Sequence, residues 1–148
     1  MHAGYAKSFK DLLVYQKAGE VSRAAFRLSK AFPKEEMYSL TDQFRRAARS
    51  IGAQVAEAWG KRRYEKHFVS KLTDADAEQM ETQHWVAEAL DCGYLSPTDA
   101  AQLNSALVEI GRMLNSMIEK SDSFCRSPGA ILREEATDYF TTASADND

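Results

Sequence analysis

The sequence predicts an all-α protein built as an up-down-up-down antiparallel four-helix bundle. Four segments repeat apolar residues every three or four positions, which is the period of an amphipathic helix, and no segment of useful length alternates with the period of a strand. Only a few residues separate consecutive segments, and such short connections force consecutive helices to run antiparallel. The chain of 148 residues is long enough for one core that needs no disulfide.

The first two helices are indicated by apolar stripes and by signals at their ends. The first stripe ends at Phe32, and Pro33 stops the helix soon after it. The second helix begins near Ser39 or Thr41, both of which are N-cap residue types, and Gly60 stands at its predicted C-cap. The two stripes consist of Val14, Ala18, Val21, Ala25, Leu28 and Phe32, then Leu40, Phe44, Ala47, Ala48, Ile51, Val55, Ala58 and Trp59.

The third predicted helix starts near Tyr64 and ends at Cys92 and Gly93. Gln79 and Thr82 fall where core residues are expected, so this helix either buries polar groups with partners or faces more than one neighbour. Its predicted apolar face consists of Phe68, Leu72, Ala75, Val86, Ala89 and Leu90.

The fourth predicted helix opens with Ser96 as N-cap and Pro97 at the first helical position. We assign residues 1–120 to the bundle and residues 121–148 to a mobile acidic tail, whose first part is turn-like and whose stretch ILREEATDYF could form a short helix on a partner. The apolar seam of the fourth helix consists of Leu103, Leu107, Ile110, Leu114 and Met117.

The bulk composition favours a cytoplasmic protein without membrane contact. No apolar run approaches the roughly 20 residues that a membrane span needs, and the first residues lack the apolar centre of a signal peptide. Cys92 and Cys125 have no CxxC spacing, so we expect free thiols in a reducing compartment.

Charge is unevenly distributed along the chain. The net charge is −3, which as a whole is not typical of a protein that binds nucleic acid. Residues 41–71, however, contain eight Lys or Arg against three Asp or Glu, whereas residues 72–100 contain seven acids and no Lys or Arg. The two segments therefore predict a basic surface and an acidic surface.

The basic residues of the second helix lie on its outer side, away from the apolar stripe. Small residues in the same sector would let a neighbouring backbone or a phosphate chain approach closely, and two of them, Gly52 and Ala56, are predicted to lie between copies of the protein. A further basic group, here called the basic corner, follows the end of this helix. The alternative is that these charges form only a solvated face. The basic residues are Arg45, Arg46 and Arg49 on the helix and Lys61, Arg62, Arg63 and Lys66 in the basic corner; the small residues are Gly52, Ala53 and Ala56.

On the third helix, Trp85 is predicted to lie among acidic residues on the outer side. An exposed tryptophan ringed by acids, in a protein that also has an arginine face, suggests that copies of the protein pack together. The alternative is that Trp85 belongs to the core. The acids of this predicted interface, here called the acidic face, are Asp74, Glu78 and Glu81, with Glu88 further along the helix.

The sequence offers no catalytic site. His84, Glu88 and Cys92 are spaced four residues apart but lack a fourth metal ligand, and Glu57 and Glu65 are single carboxylates without a positioned partner. Phosphate-binding, dinucleotide-binding, nucleophile-elbow and di-iron motifs do not occur. We therefore expect neither an enzyme, nor a metal, nor a cofactor.

Three stretches of the chain resemble a known bacterial family. SFKDLLVYQKA, YSLTDQFRRAARSIGAQVAEAWG and KHFVSKLTDADAEQMETQ are similar, in order and wording, to the four-helix bundle family named for proteins encoded within 23S rRNA intervening sequences. The resemblance covers about residues 8–120. It implies a ring-shaped homopentamer, and a relative that serves diversity-generating retroelements binds nucleic acid and a reverse transcriptase. By resemblance, Arg45, Arg46 and Arg49 occupy the basic stretch of the family.

The sequence thus predicts a non-enzymatic homo-oligomer that binds RNA or DNA through its basic face. The alternative is a protein-interaction scaffold whose segregated charges serve assembly with itself or with another protein.

Overall fold

The computed structural model describes residues 6–125, and within this range the chain forms helices and no strand. This confirms the all-α prediction for the described residues. The helices are α1 (Leu13–Ser29), α2 (Leu40–Gly60), α3 (Glu65–Asp91), α4 (Pro97–Glu119) and α5 (Ser121–Cys125), with 3-10 turns at Phe9–Asp11 and Lys34–Glu36.

The four long helices enclose one core. Helix α1 packs against α2 and α4, and α3 packs against the same two helices, so the four close around a shared interior. This packing buries the predicted stripes, because each stripe presents its apolar side chains to two neighbours. The largest fully buried apolar side chains are Phe44, Phe68, Ile51, Leu72, Leu107, Ile110, Leu114, Val14, Val55 and Val86.

The N-cap of α2 is Ser39, one of the two predicted residues, whereas the predicted C-cap needs correction. Ser39 stands at the N-cap, but its hydroxyl makes no capping bond and instead donates to the Glu36 carboxylate at 2.8 Å, and Thr41 is buried inside the first turn. Gly60 is the last helical residue rather than the cap, which is Lys61, and Gly60 lacks the left-handed backbone of a glycine cap. The sequence signal at Gly60 was therefore wrong by one residue.

The end of α3 agrees with prediction in all but one residue. Gly93 adopts a φ of +79°, its N–H donates to the Leu90 carbonyl at 3.0 Å, and the Tyr94 N–H donates to the Ala89 carbonyl at 2.8 Å. These two bonds close the helix end in a Schellman motif. Leu90, predicted to be buried, is 37% exposed, because Ala89 occupies the core position one residue earlier.

The two polar residues inside α3 are buried with partners, which is the first of the two predicted alternatives. The Thr82 hydroxyl donates to the Glu78 carbonyl one turn earlier at 2.8 Å. The Gln79 amide donates to Asp76 at 3.0 Å and accepts from Gln83 at 2.7 Å. These bonds satisfy polar groups that would otherwise be costly to bury.

The start of α4 is as predicted, but the segment after α4 is not. The Ser96 hydroxyl accepts from the Asp99 N–H at 3.0 Å, and Pro97 is the first helical residue. The predicted turn beyond Lys120 is instead the short helix α5, in which Phe124 is buried and stacks on Phe68 at 5.6 Å. The rest of the predicted acidic tail, including ILREEATDYF, lies outside the described residues.

None of the helices between residues 6 and 125 has the length and apolar character of a membrane-spanning segment.

Candidate nucleic-acid interface

Three cations, one from the C-cap of α1 and two from α2, surround a partly exposed phenylalanine on α1. Phe26 is 38% exposed. The Arg45 guanidinium carbon lies 4.6 Å from the centroid of its ring, the Lys30 ammonium 4.9 Å and the Arg49 guanidinium carbon 5.4 Å. Cations within about 6 Å of a ring are attracted to its negative face. We call this group, together with Arg46, the basic surface.

Arg45 is held in place by more than the ring. Its Nε donates to the Ser29 hydroxyl at 2.7 Å, and that hydroxyl in turn donates to the Phe26 carbonyl at 3.1 Å. The side chain of Arg45 is half-buried, whereas Arg46 and Arg49 are exposed. The basic surface therefore combines one anchored guanidinium with two that are open to solvent.

All three predicted arginines of α2 line one shallow depression of about 410 Å³. Tyr38, in the connection before α2, also borders it and is 93% exposed. Thr41 lies at its side and is only 3% exposed. Within residues 6–125, the Thr41 hydroxyl oxygen has no hydrogen-bond partner. The structure thus brings the arginines together with an aromatic ring and a buried hydroxyl.

The small residues of α2 lie against helix α1 of the same chain. A Cβ on Gly52 would lie 3.5 Å from Tyr15 and 3.9 Å from Ala18, both on α1. Ala56 and Ala53 line the same groove between α1 and α2 as Tyr15. The predicted close approach at Gly52 is therefore made by α1, and a role of Gly52 and Ala56 between copies of the protein stays a prediction.

The basic corner is divided between structural and open residues. Arg62 stacks on Trp59, with its guanidinium carbon 3.6 Å from the ring centroid, and its Nε donates to the Trp59 carbonyl at 2.8 Å. Lys61, Arg63 and Lys66 are exposed. Because an α-helix rises 1.5 Å per residue, the corner lies roughly 24 Å along α2 from Arg45. The corner therefore follows the C-terminal end of α2, whereas the arginines of the basic surface lie in its N-terminal half.

The two carboxylates that sequence analysis left without partners have them. Glu57 on α2 forms an ion pair with Lys71 on α3 at 2.7 Å, and the hydrogen bond to Lys71 is the main reason that the pKa of Glu57 is lowered. Glu65 accepts a hydrogen bond from the Ser121 hydroxyl. The prediction was wrong because both partners come from other helices, which sequence spacing does not reveal.

The acidic face lies on α3, as predicted, but Trp85 is only half-exposed. Its ring packs at the edge of the core, and its Nε1 donates to Glu81 at 3.0 Å. Glu78 is half-buried, with one carboxylate oxygen that has no partner among the described residues. Burial first, and then the charge of Glu81, raise the pKa of Glu78, while Arg46 lowers it. Asp74 is exposed and lies 3.9 Å from Lys71.

The residues with metal-ligand chemistry do not converge. His84, Glu88 and Cys92 are all exposed, and no group of three or more His, Cys, Asp or Glu within residues 6–125 is arranged to hold a metal. Both cysteines are free thiols, as predicted. Burial raises the pKa of the Cys125 thiol to about 12, which keeps it protonated and therefore a poor nucleophile at neutral pH.

Comparison with known proteins places this geometry in a family. The model of the 23S rRNA-intervening sequence protein family matches residues 10–116. The chain belongs to this family. A comparison with curated proteins found no match.

A solved structure supports the assignment of the chain to this family. It is the 1.70 Å crystal structure of a protein with unknown function from the S23 ribosomal protein family of Bacteroides thetaiotaomicron VPI-5482. The two proteins are 26% identical, with a TM-score of 0.66, and the match covers 72% of this chain and 99% of the other. The similarity thus extends over the bundle but gives no activity.

Three members of the site were not predicted from the sequence. Phe26 lies on α1, outside its apolar stripe, Lys30 is the C-cap of α1, and Tyr38 lies in the connection before α2. An aromatic residue off the stripe was the available signal for Phe26. Its position over the arginines of α2 depends on how the two helices pack.

Proposed function

We propose that this protein is a non-enzymatic, cytoplasmic homo-oligomer that binds RNA or DNA through its basic surface. The observation that supports the proposal is the gathering of Arg45, Arg49 and Lys30 around Phe26, with Arg45 anchored by Ser29. Guanidinium groups suit phosphates because their donors form a planar fork. An anchored side chain also loses less rotamer entropy when it binds.

The proposal includes an up-down-up-down bundle assembled as a ring-shaped homopentamer. Contacts between α1 and α2 support the antiparallel order, because Ser29 meets Arg45 near one end and Ala18 meets Gly52 further along. The pentamer follows from the family resemblance. A ring would repeat the basic surface, and repetition converts weak phosphate contacts into avidity.

The basic corner extends the proposed interface as a second, weaker contact. The cations exposed to solvent are Lys61, Arg63 and Lys66. Arg62 has a structural role, because it stacks on Trp59. Phosphate contacts of this kind are sensitive to salt and largely blind to sequence.

The experiment compares two variants that each remove three positive charges. One carries Lys30→Ala, Arg46→Ala and Arg49→Ala in the basic surface, and the other carries Lys61→Ala, Arg63→Ala and Lys66→Ala in the corner. Both leave Arg45 and Arg62 in place, since these side chains hold structural contacts. Filter binding is measured with 23S rRNA fragments and duplex DNA over a salt series, after light scattering shows an unchanged mass.

We expect the basic-surface variant to lose most of the binding and the corner variant to lose less. For duplex DNA, the log-log slope of affinity against salt should fall by about 0.9 for each phosphate contact removed. Equal, negligible retention of wild type and both variants at low salt would reject nucleic-acid binding.

The second candidate is a protein-interaction scaffold. Glu78 favours it, because one oxygen of its half-buried carboxylate has no hydrogen-bond partner within residues 6–125, and a donor from another copy or another protein would supply one. This candidate replaces the first if no variant changes nucleic-acid retention while Glu78→Gln or Trp85→Glu changes the assembly.

A further inference from the structure

Tyr38 is an aromatic residue that is exposed to water beside the arginines of the basic surface. It is 93% exposed, and it borders the depression that Arg45, Arg46 and Arg49 line. Folding removes little of the apolar surface of this ring from water. A flat partner that covers the ring would bury that surface and gain free energy of binding. The neighbouring arginines restrict that partner to one that also carries negative charge.

We propose that the basic surface selects single-stranded RNA or DNA, with Tyr38 as the platform on which one unpaired base stacks. This inference rests on the proposed function and specifies the ligand of the same site. A duplex offers phosphates to the arginines, but its bases are already stacked on one another and cannot reach Tyr38. A single strand offers both phosphates and open base faces.

The order of charges along the depression supports this arrangement. Tyr38 precedes α2, Asp42 lies in its first turn, and Arg45, Arg46 and Arg49 follow over the next two turns. Asp42 repels a phosphate but accepts hydrogen bonds from the amino groups of a base. The base therefore belongs at the Tyr38 end, and the adjoining phosphates belong at the arginine end.

Thr41 provides a second, independent indication of a ligand at the Tyr38 end. The residue is only 3% exposed and lines the depression, and its hydroxyl has no hydrogen-bond partner within residues 6–125. A buried hydroxyl without a partner costs free energy unless it is satisfied. This oxygen is covered by the chain in the unbound protein. A small shift of the first turn of α2 would bring it within reach of a ribose hydroxyl or a base edge seated against Tyr38, which is a partner of the right chemistry.

The test measures fluorescence anisotropy with three labelled probes of one sequence and matched length: single-stranded RNA, single-stranded DNA and duplex DNA. The variants are Tyr38→Ala, Tyr38→Phe and, as a matched control, Tyr64→Ala, which truncates another exposed tyrosine near the basic corner. Circular dichroism checks that helicity is retained, which we expect because Tyr38 makes almost no contact with the bundle.

Tyr38→Ala should weaken single-strand binding about tenfold, the factor that one stacked base contributes, and leave duplex binding within about twofold. Tyr38→Phe should bind as wild type does, since stacking needs the ring and not the hydroxyl. Tyr64→Ala should change neither.

Three outcomes overturn the inference. If wild type binds duplex and single strand equally and Tyr38→Ala is neutral, the stacking role is wrong while the proposed function stands. If Tyr64→Ala and not Tyr38→Ala weakens single-strand binding, the platform lies at the basic corner. If wild type binds no probe at low salt, the inference fails together with the proposed function.

Discussion

At the residue scale, Tyr94 and Glu36 join two connections that are distant in sequence. The Tyr94 hydroxyl donates to the Glu36 carboxylate at 2.8 Å, and the Tyr94 ring lies 5.4 Å from that of Phe32. This hydrogen bond, followed by burial and by the charge of Glu36, raises the pKa of Tyr94 to about 12. Hydrogen bonds from Ser39 and then from Tyr94 lower the pKa of Glu36.

Glu36→Gln should bring the pKa of Tyr94 back toward its ordinary value of 10.0. The amide keeps an acceptor but removes the negative charge that opposes a second anion. Phenolate absorbance measures the titration, and subtraction of the Tyr94→Phe curve isolates this residue. Glu35→Gln removes the same charge without that hydrogen bond, so it should shift the pKa less. Identical curves for wild type and Glu36→Gln would contradict the assignment.

The same bond makes part of the stability depend on pH. Because the folded pKa of Tyr94 is raised, its contribution is present below the unfolded pKa and is lost as pH rises through about 12. The difference in free energy of unfolding between wild type and Tyr94→Phe should therefore stay constant near neutral pH and shrink in strong alkali.

At the element scale, two glycines at helix ends look alike in sequence but differ in backbone. Gly93 ends α3 with a positive φ, which residues that carry a side chain rarely adopt. Gly60 lies inside the last turn of α2, and a Cβ there would meet nothing within 4 Å. The backbone conformation at position 93 therefore requires glycine. At position 60 glycine has no such role and only lowers the helix propensity of α2.

Gly93→Ala should lower the free energy of unfolding by about 1 kcal/mol, because alanine is strained in the left-handed region. Gly60→Ala should raise it by roughly 0.5 kcal/mol, because alanine is the better helix former. Urea unfolding measures both variants. Effects of the same sign would show that the two helix ends are equivalent after all.

Helix α5 is the element that extends the bundle beyond the boundary that the sequence suggested. Phe124 is buried against Phe68 near the start of α3, and Ser121 bonds to Glu65 there. Phe124→Ala should lower the free energy of unfolding by about 3 kcal/mol, as loss of a buried ring does. Ser123→Ala, on the exposed side of α5, is the control and should stay within about 0.5 kcal/mol of wild type. If Phe124→Ala leaves the free energy of unfolding unchanged, the bundle ends at residue 120, as the sequence suggested.

At the scale of the whole molecule, the basic surface is mainly on α2 and the acidic face on α3, and the two helices are neighbours. Within residues 6–125, the two charged surfaces act on each other through Arg46, whose charge lowers the pKa of Glu78. The ion pair that joins the two helices, Glu57 with Lys71, has the opposite polarity, with the acid on α2 and the base on α3. Most of the opposite charges thus stay available for another copy or for a ligand.

Trp85→Glu should lower the oligomer mass if the acidic face lies between copies. A further negative charge among Glu78 and Glu81 is repelled by both and would have to be desolvated in the interface. Light scattering at micromolar concentration and moderate salt measures the mass. Ser105→Glu adds the same charge on the exposed side of α4 and should leave it unchanged. A wild-type monomer would reject the assembly altogether.

The sequence by itself determined the helices of this protein. The spacing of Val14, Ala18 and Val21, and the Ser96-Pro97 start of α4, predict their elements because stripe period and capping depend on neighbours within one turn. The sequence also predicted that Arg45, Arg46 and Arg49 lie outside the core, because the angle between residues on one helix is fixed.

Only the tertiary structure decided which residues face one another across helices. It brought Phe26 and Lys30 over Arg45, paired Glu57 with Lys71, and set Tyr38 beside the arginines. These pairs depend on the rotation and axial register of α1, α2 and α3, which the packing of the whole core determines. A helical period fixes the face that a residue occupies, but the side chain it meets there is fixed by that packing.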